Sequence, residues 1–128
     1  MAAYVHFTEL EVYKECRELR TSISKLVKTF PPEEKYRLVS QILRSSRGIT
    51  NCLAEGYGRF YFKENIQYCR ISRGSLFETY DHLLVAYDED YINQKTLEEY
   101  KIKIDICGRL LNGYINYLKK AKKPKDED

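Results

Sequence analysis

The sequence predicts an all-α protein, an antiparallel up-down-up-down bundle of four helices. Prolines occur only at 31, 32 and 124, so they punctuate long uninterrupted segments. Within those segments apolar residues recur every three or four positions, with almost no alternation of the kind a strand requires. The connections between segments are short, which makes sequential helices antiparallel neighbours. A chain of 128 residues and 15.2 kDa is expected to form one domain over residues 1–120, with a charged, flexible tail at 121–128.

The first helix is expected over about residues 8–30. Thr8-Glu9-Leu10-Glu11 has the form of a capping box, a hydroxyl followed three residues on by a Glu. Val12, Cys16, Leu19, Ile23, Leu26 and Phe30 then mark a single stripe, which Pro31-Pro32 ends. The second helix is expected over 32–57, with Pro32 in its first turn and Glu33 and Glu34 at its positive end. Its stripe is Leu38, Ile42, Ser45, Ile49, Cys52 and Gly56, flanked by Val39, Leu43, Ser46 and Leu53, and Gly56-Tyr57-Gly58 stops it.

The third helix is expected over 62–88. Its stripe is Phe62, Ile66, Cys69, Arg73, Leu76, Tyr80, Leu83 and Tyr87, ending in the acidic turn Asp88-Glu89-Asp90. The fourth is expected over 94–120, where Thr96-Leu97-Glu98-Glu99 offers a second capping box. Leu97, Tyr100, Ile104, Cys107, Leu111, Tyr114 and Leu118 form its stripe. Helices of roughly 22–27 residues span about 33–40 Å. Ile102, Ile106, Ile115 and Tyr117 lie outside the fourth stripe, and a second apolar face of this kind points to oligomerisation, the alternative being a wider contact with the core. With Tyr57, Phe60 and Tyr61 of the aromatic turn, Ile102, Ile106 and Tyr117 are the candidate interface residues.

Composition narrows the function classes. Hydrophobic residues make up 43% and charged residues 32%, a soluble globular mixture. No run of ~20 apolar residues exists to cross a membrane. The N-terminus lacks the basic start and apolar stretch of a signal peptide, so a cytoplasmic protein with free thiols is expected. Cys16, Cys52, Cys69 and Cys107 each fall on an apolar stripe and form no CxxC pair, so they read as core residues rather than zinc ligands. His6 and His82 are the only histidines, and Glu78-x-x-x-His82 lacks the paired Glu-x-x-His of a di-iron bundle. Gly56-Tyr57-Gly58-Arg59 is neither a phosphate loop nor a dinucleotide fingerprint. Without a nucleophile–base pair, metal set or phosphate loop, neither an enzyme nor a cofactor is expected.

Charge is distributed unevenly although the net value is only +3. From Lys35 to Arg73 eight bases face two acids, a net of +6; from Gly74 to Asp90 five acids stand without a Lys or Arg. Arg44 and Arg47 share a helix face. The turn Tyr57, Arg59, Phe60, Tyr61, Phe62, Lys63 interleaves aromatic rings with bases, a mixture that suits either single-stranded nucleic acid or a protein partner. The candidate phosphate-contacting residues are Arg44, Arg47, Arg59, Lys63, Arg70, Lys119 and Lys120. Arg73 stands in a core phase, so it is expected to pair with Glu55 or Glu78.

A set of motifs also resembles a known family. Phe7-x-x-Leu10-x-Val12-Tyr13, Phe30-Pro31 with Glu34, Tyr36 and Leu38, and Ser40-Gln41-Ile42 with Arg44 come first. Leu53-Ala54-Glu55-Gly56-Tyr57-Gly58-Arg59, Gly74-Ser75-Leu76-Phe77-Glu78 and Leu111-Asn112-Gly113 follow. In this order they resemble the four helix bundle proteins of the 23S rRNA intervening-sequence family, which includes the accessory variability determinant of diversity-generating retroelements. The sequence departs from that pattern in helix two, where Thr50 and Cys52 replace the usual proline and asparagine. The resemblance implies a bacterial protein, an antiparallel four-helix bundle and a ring-shaped homopentamer. In the retroelement branch it also implies binding to nucleic acid and to a reverse transcriptase. It marks Arg44, Arg59 and Arg73 as motif positions and implies no catalytic residue. Two readings follow: an oligomeric module binding RNA or DNA, and an adaptor docking a protein such as a reverse transcriptase.

Overall fold

The computed structural model describes residues 6–121. Four long helices, and no strand, are present among them: α1 (Glu11–Leu26), α2 (Leu38–Tyr57), α3 (Phe62–Asp88) and α4 (Gln94–Ala121). The architecture is consistent with a four-helix bundle. Residues 122–128, which include most of the expected charged tail, lie outside the described residues.

The ends of the helices depart from the capping boxes. Thr8 lies in a short 3-10 turn, Phe7–Glu9, where the His6 ring nitrogen accepts from the Thr8 amide at 3.3 Å. The helix proper starts after Leu10, whose side chain cannot cap it. At α4 the capping oxygen comes from Asn93, whose Oδ1 accepts from the Thr96 amide at 2.8 Å. Helix two begins later than its prolines suggest: Pro32–Glu34 form a separate 3-10 turn, and the backbone breaks at Arg37 before α2. Glu34 accounts for the start at Leu38. Its Oε1 accepts from the Leu38 amide at 3.2 Å, and its Oε2 accepts from the Tyr91 hydroxyl at 2.7 Å. One carboxylate therefore starts α2 and ties the α1–α2 connection to the α3–α4 connection.

Helix α3 ends in the acidic turn by a Schellman arrangement. The Tyr91 amide donates to the Ala86 carbonyl at 2.8 Å and the Asp90 amide to the Tyr87 carbonyl at 3.0 Å. Asp90 takes φ 64°, the left-handed conformation that this motif requires and that glycine adopts most easily.

The expected stripes of α1, α2 and α4 are largely the buried ones, with Cys16, Leu19, Ile23, Ile42, Ile49, Ile104, Cys107 and Leu111 enclosed and Cys52 of α2 only half-buried. Ile115 is also enclosed, at 4% exposure, so it belongs to the core and not to a second face of α4. Helix α3 differs more. Its buried row is Asn65, Cys69, Ser72, Leu76, Thr79, Leu83 and Ala86, whereas Phe62, Arg73, Tyr80 and Tyr87 are only half-buried. The reason lies in α2. Ser45 and Thr79 share a 2.8 Å hydroxyl–hydroxyl hydrogen bond, and Ser72 donates to the Ile49 carbonyl at 2.7 Å. Ser75 approaches Gly48, and Asn65 and Tyr68 close over Gly56. Small side chains whose hydroxyls find partners across the seam let the two backbones pack closely without leaving polar groups unsatisfied. The contacts run in opposite directions along the two helices, 45 with 79, 49 with 72 and 56 with 65.

The thiols are free: Cys16, Cys69 and Cys107 are buried and Cys52 half-buried. Cys16 is raised by its hydrogen bond with Cys107 and by burial, Cys69 is pushed up to about 12 by burial, and burial also raises Cys52. These shifts keep the thiols of Cys16, Cys52 and Cys69 protonated near neutral pH.

A Cβ at Gly56 would lie 2.6 Å from Asn65 Oδ1 and 2.9 Å from Tyr68 Cβ. Gly56→Ala should therefore cost roughly 1–3 kcal/mol in urea unfolding despite the helix propensity it gains. Gly74→Ala, where a Cβ meets nothing within 4 Å, should be neutral or stabilising by up to about 1 kcal/mol. Asp90→Gly should raise stability by roughly 0.5–1 kcal/mol by relieving the left-handed conformation. The hydrogen bonds from Tyr91 and Leu38 hold the Glu34 carboxyl below the usual carboxylate range. Its contribution to stability is thus present above about pH 4 and lost as pH falls through the depressed value. Melting temperature measured against pH should fall less steeply on the acid side for Glu34→Gln than for the parent chain.

Candidate nucleic-acid interface

Helix spacing places Arg20, Thr21, Ser24, Lys25 and Lys28 on one side of α1 and the turn after it. Facing them across a groove of about 310 Å³ are Leu43 and Arg47 of α2. Arg47 and Leu43 also line a second groove, of about 590 Å³, with Lys35, Tyr36, Val39, Ser40 and Arg44. The two grooves therefore form one surface that crosses from α1 onto the start of α2. Six bases line it and no carboxylate does.

One of these cations is held in place by the core. Arg20 Nη1 donates to Thr50 Oγ1 at 2.9 Å, and Thr50 in turn donates to the Arg47 carbonyl at 3.2 Å. Thr50 is only 2% exposed, so the hydroxyl that orients Arg20 belongs to the helix interior. A proline at this position would offer no hydroxyl. An oriented guanidinium beside exposed lysines is suited to bind an anion with directed hydrogen bonds as well as charge.

The residues singled out by sequence separate into two regions. Arg44 and Arg47 are exposed on the α1–α2 surface. Arg59 is at the other end of α2, where Nη2 donates to Glu55 Oε2 at 2.8 Å and to the Tyr68 hydroxyl at 2.7 Å. Its charge is therefore already matched by a carboxylate one helical turn away. Lys63 and Arg70 are exposed on α3, and Lys119 and Lys120 are exposed in the last turn of α4, where they complement the helix dipole. The run of lysines beyond Ala121 lies outside the described residues.

The ion pair expected for Arg73 does not form. Its Nη1 donates to Asn112 Oδ1 of α4 at 2.7 Å. Glu55 is paired with Arg59, and Glu78 lies 3.3 Å from His82 Nε2. Each carboxylate meets a partner four residues along its own helix, which requires less ordering than reaching across the bundle. Arg73 is half-buried, and a neutral amide satisfies it at the rim.

The candidate interface residues also divide. Ile102 and Tyr117 are exposed on α4, at 61% and 59%, while Ile106 is half-buried. Tyr57 is half-buried against the rings of His6 and Phe7. Phe60 is exposed, with its ring edge-on to Tyr61 at 4.8 Å. Phe77 and Ile71 add exposed apolar surface on α3.

Sequence reading missed Arg20, Lys25 and Lys28 as site residues because Glu9, Glu11, Glu15 and Glu18 alternate with the bases of α1. A count along the segment cancels. Projection on a helix would have found the signal, since 20, 24 and 28 share a side that carries no acid. Among the described residues no cluster of three potential metal ligands occurs, and no helix is long and apolar enough to cross a membrane.

Similarity to known proteins is consistent with this architecture. A crystal structure of a protein of unknown function from Bacteroides thetaiotaomicron, assigned to the S23 ribosomal protein family, superposes with a TM-score of 0.75. The two chains are 24% identical, and the match covers 82% of this chain and 95% of that one, which establishes likeness of fold. No protein with a curated description matches the chain. The family described as 23S rRNA-intervening sequence protein matches residues 8–113. With most of its length accounted for by that match, the chain belongs to the 23S rRNA-intervening sequence protein family.

Proposed function

We propose that this protein is a non-enzymatic, cytoplasmic nucleic-acid-binding module that contacts the phosphates of RNA or DNA through the joined grooves of α1 and α2. The observation that carries the reading is the row of six bases across these grooves, lined by no carboxylate, with Arg20 fixed by Thr50. The helices act as an antiparallel up-down-up-down bundle, in keeping with the opposed contacts between α2 and α3. Copies assemble through the exposed apolar residues of α3 and α4 into a ring, a pentamer by family resemblance. A ring would repeat the basic surface and sum its field, so that a chain of modest net charge attracts a polyanion strongly. Arg44 and Arg47 make phosphate contacts; Lys63, Arg70, Lys119 and Lys120 supply longer-range attraction.

A second reading is favoured by Phe77, Ile102 and Tyr117, whose exposure also suits a protein partner. On that reading the module is an adaptor that docks a polymerase such as a reverse transcriptase and has no nucleic-acid affinity of its own.

Affinity for a fluorescent RNA measured from 50 to 200 mM salt separates the two. Several phosphate contacts predict a steep linear fall of log affinity with log salt. Arg44→Glu with Arg47→Glu should weaken binding at least about tenfold and flatten the slope by roughly two contacts. A response flat with salt, or an unchanged double variant, would contradict phosphate binding here. Light scattering should give a multiple of the 15.2 kDa chain, and a clean monomer would remove the ring.

A further inference from the structure

We propose that the nucleic acid taken by this face is single-stranded, with an unpaired base stacked on Tyr36 while the flanking phosphates lie on Arg47 and Arg20. The inference rests on the phosphate-binding reading above and names its class of ligand.

Tyr36 is 83% exposed, the most exposed of the large apolar side chains among the described residues. An aromatic ring turned to water is unfavourable unless something covers it. Its mount is well fixed. The turn that carries it is braced by the Lys35 amide donating to the Pro32 carbonyl at 3.1 Å and the Arg37 amide to the Glu34 carbonyl at 3.0 Å. Glu34 also receives the Leu38 amide and the Tyr91 hydroxyl, as described above. The turn that carries the ring is therefore held from both sides before any ligand arrives.

What surrounds the ring selects the ligand. Lys35 Nζ sits 5.3 Å from the ring centroid. Arg44 and Arg47 line the same groove, and Arg47 with Leu43 continues it toward Arg20. An aromatic face next to a row of cations is the arrangement by which single strands are held: each base offers a π-face and each phosphate a charge. A duplex can satisfy the cations but not the ring, because its bases are stacked on one another and show only their edges. The other exposed aromatic in a basic stretch, Phe60, is set edge-on to Tyr61, beside an arginine already paired with Glu55.

The chain contains no Trp, so Tyr36→Trp places a single reporter at the stacking position. The full-length variant is titrated with a single-stranded oligouridylate and with an RNA duplex of equal length. Stacking predicts quenching of the Trp emission by the single strand and little change with the duplex. Tyr36→Ala should lose roughly 5- to 100-fold in affinity for the single strand, and Tyr36→Phe should keep it, since the ring and not the hydroxyl is used. Affinity of Tyr36→Ala for the duplex should be unchanged. Salt-sensitive binding of both RNAs, without quenching and without loss in Tyr36→Ala, would overturn the stacking proposal and leave phosphate binding intact. No salt-sensitive binding to either RNA would overturn both.

Discussion

The close packing of α2 on α3 is the constraint on which the rest of the molecule depends. Ser45 against Thr79, Ser72 against the Ile49 carbonyl and Gly56 beneath Asn65 fix the rotation of α2 about its own axis. These contacts are short and polar, so they specify register as well as proximity: sliding the helices would break the Ser45–Thr79 bond and leave the buried Ser72 hydroxyl without its Ile49 partner, the latter at a cost of ~1–3 kcal/mol. Once α2 is fixed in this way, Ser46, Thr50 and Leu53 turn inward and Arg44 and Arg47 turn to water. The basic surface is in this sense a consequence of the seam on the other side of the helix.

Two polar contacts then connect the seam to the surface. Thr50 links the interior of α2 to Arg20 of α1, and Glu34 links the start of α2 to Tyr91 before α4. Each places a side chain of the proposed binding face by means of a buried or half-buried one. Arg20 owes its orientation to a hydroxyl in the core, and Tyr36 owes its position to a turn that Glu34 braces. Pre-ordering of this kind lowers the cost of ordering side chains when a ligand binds. Among the buried groups, the hydrogen bond to Cys107 together with burial raises the Cys16 thiol, and burial raises those of Cys52 and Cys69, which favours the protonated form in each.

Much of the fold was legible in the sequence because leucine, isoleucine and cysteine at spacings of three and four can satisfy only one helix face. Legibility stopped where hydropathy and burial part company. Ser72 and Thr79 are fully buried but read as polar, so the stripe of α3 was assigned to a neighbouring row containing Arg73, Tyr80 and Tyr87. What makes Ser72 and Thr79 core residues is a partner on another helix, and a partner is not visible in one segment. The same limit affected the site. Arg44 and Arg47 stand in a basic stretch and were found; Arg20, Lys25 and Lys28 stand among glutamates and were not. Glu55 and Glu78 each meet a partner four residues along their own helix, Arg59 and His82, which leaves Arg73 to the Asn112 amide of α4. The aromatic turn at Phe60 drew notice by its composition, while Tyr36, a single ring between two bases, is distinguished only by its exposure.

The central claim is that α1 and α2, rather than the turn between α2 and α3, form the phosphate-binding face. Lysine acetylation footprinting in the presence and absence of saturating single-stranded RNA tests it most directly. Protection of Lys25, Lys28 and Lys35, with Lys63 and Lys120 still reactive, is the result this structure predicts. Protection centred on Lys63 and Lys120, with Lys25, Lys28 and Lys35 unchanged, would contradict it.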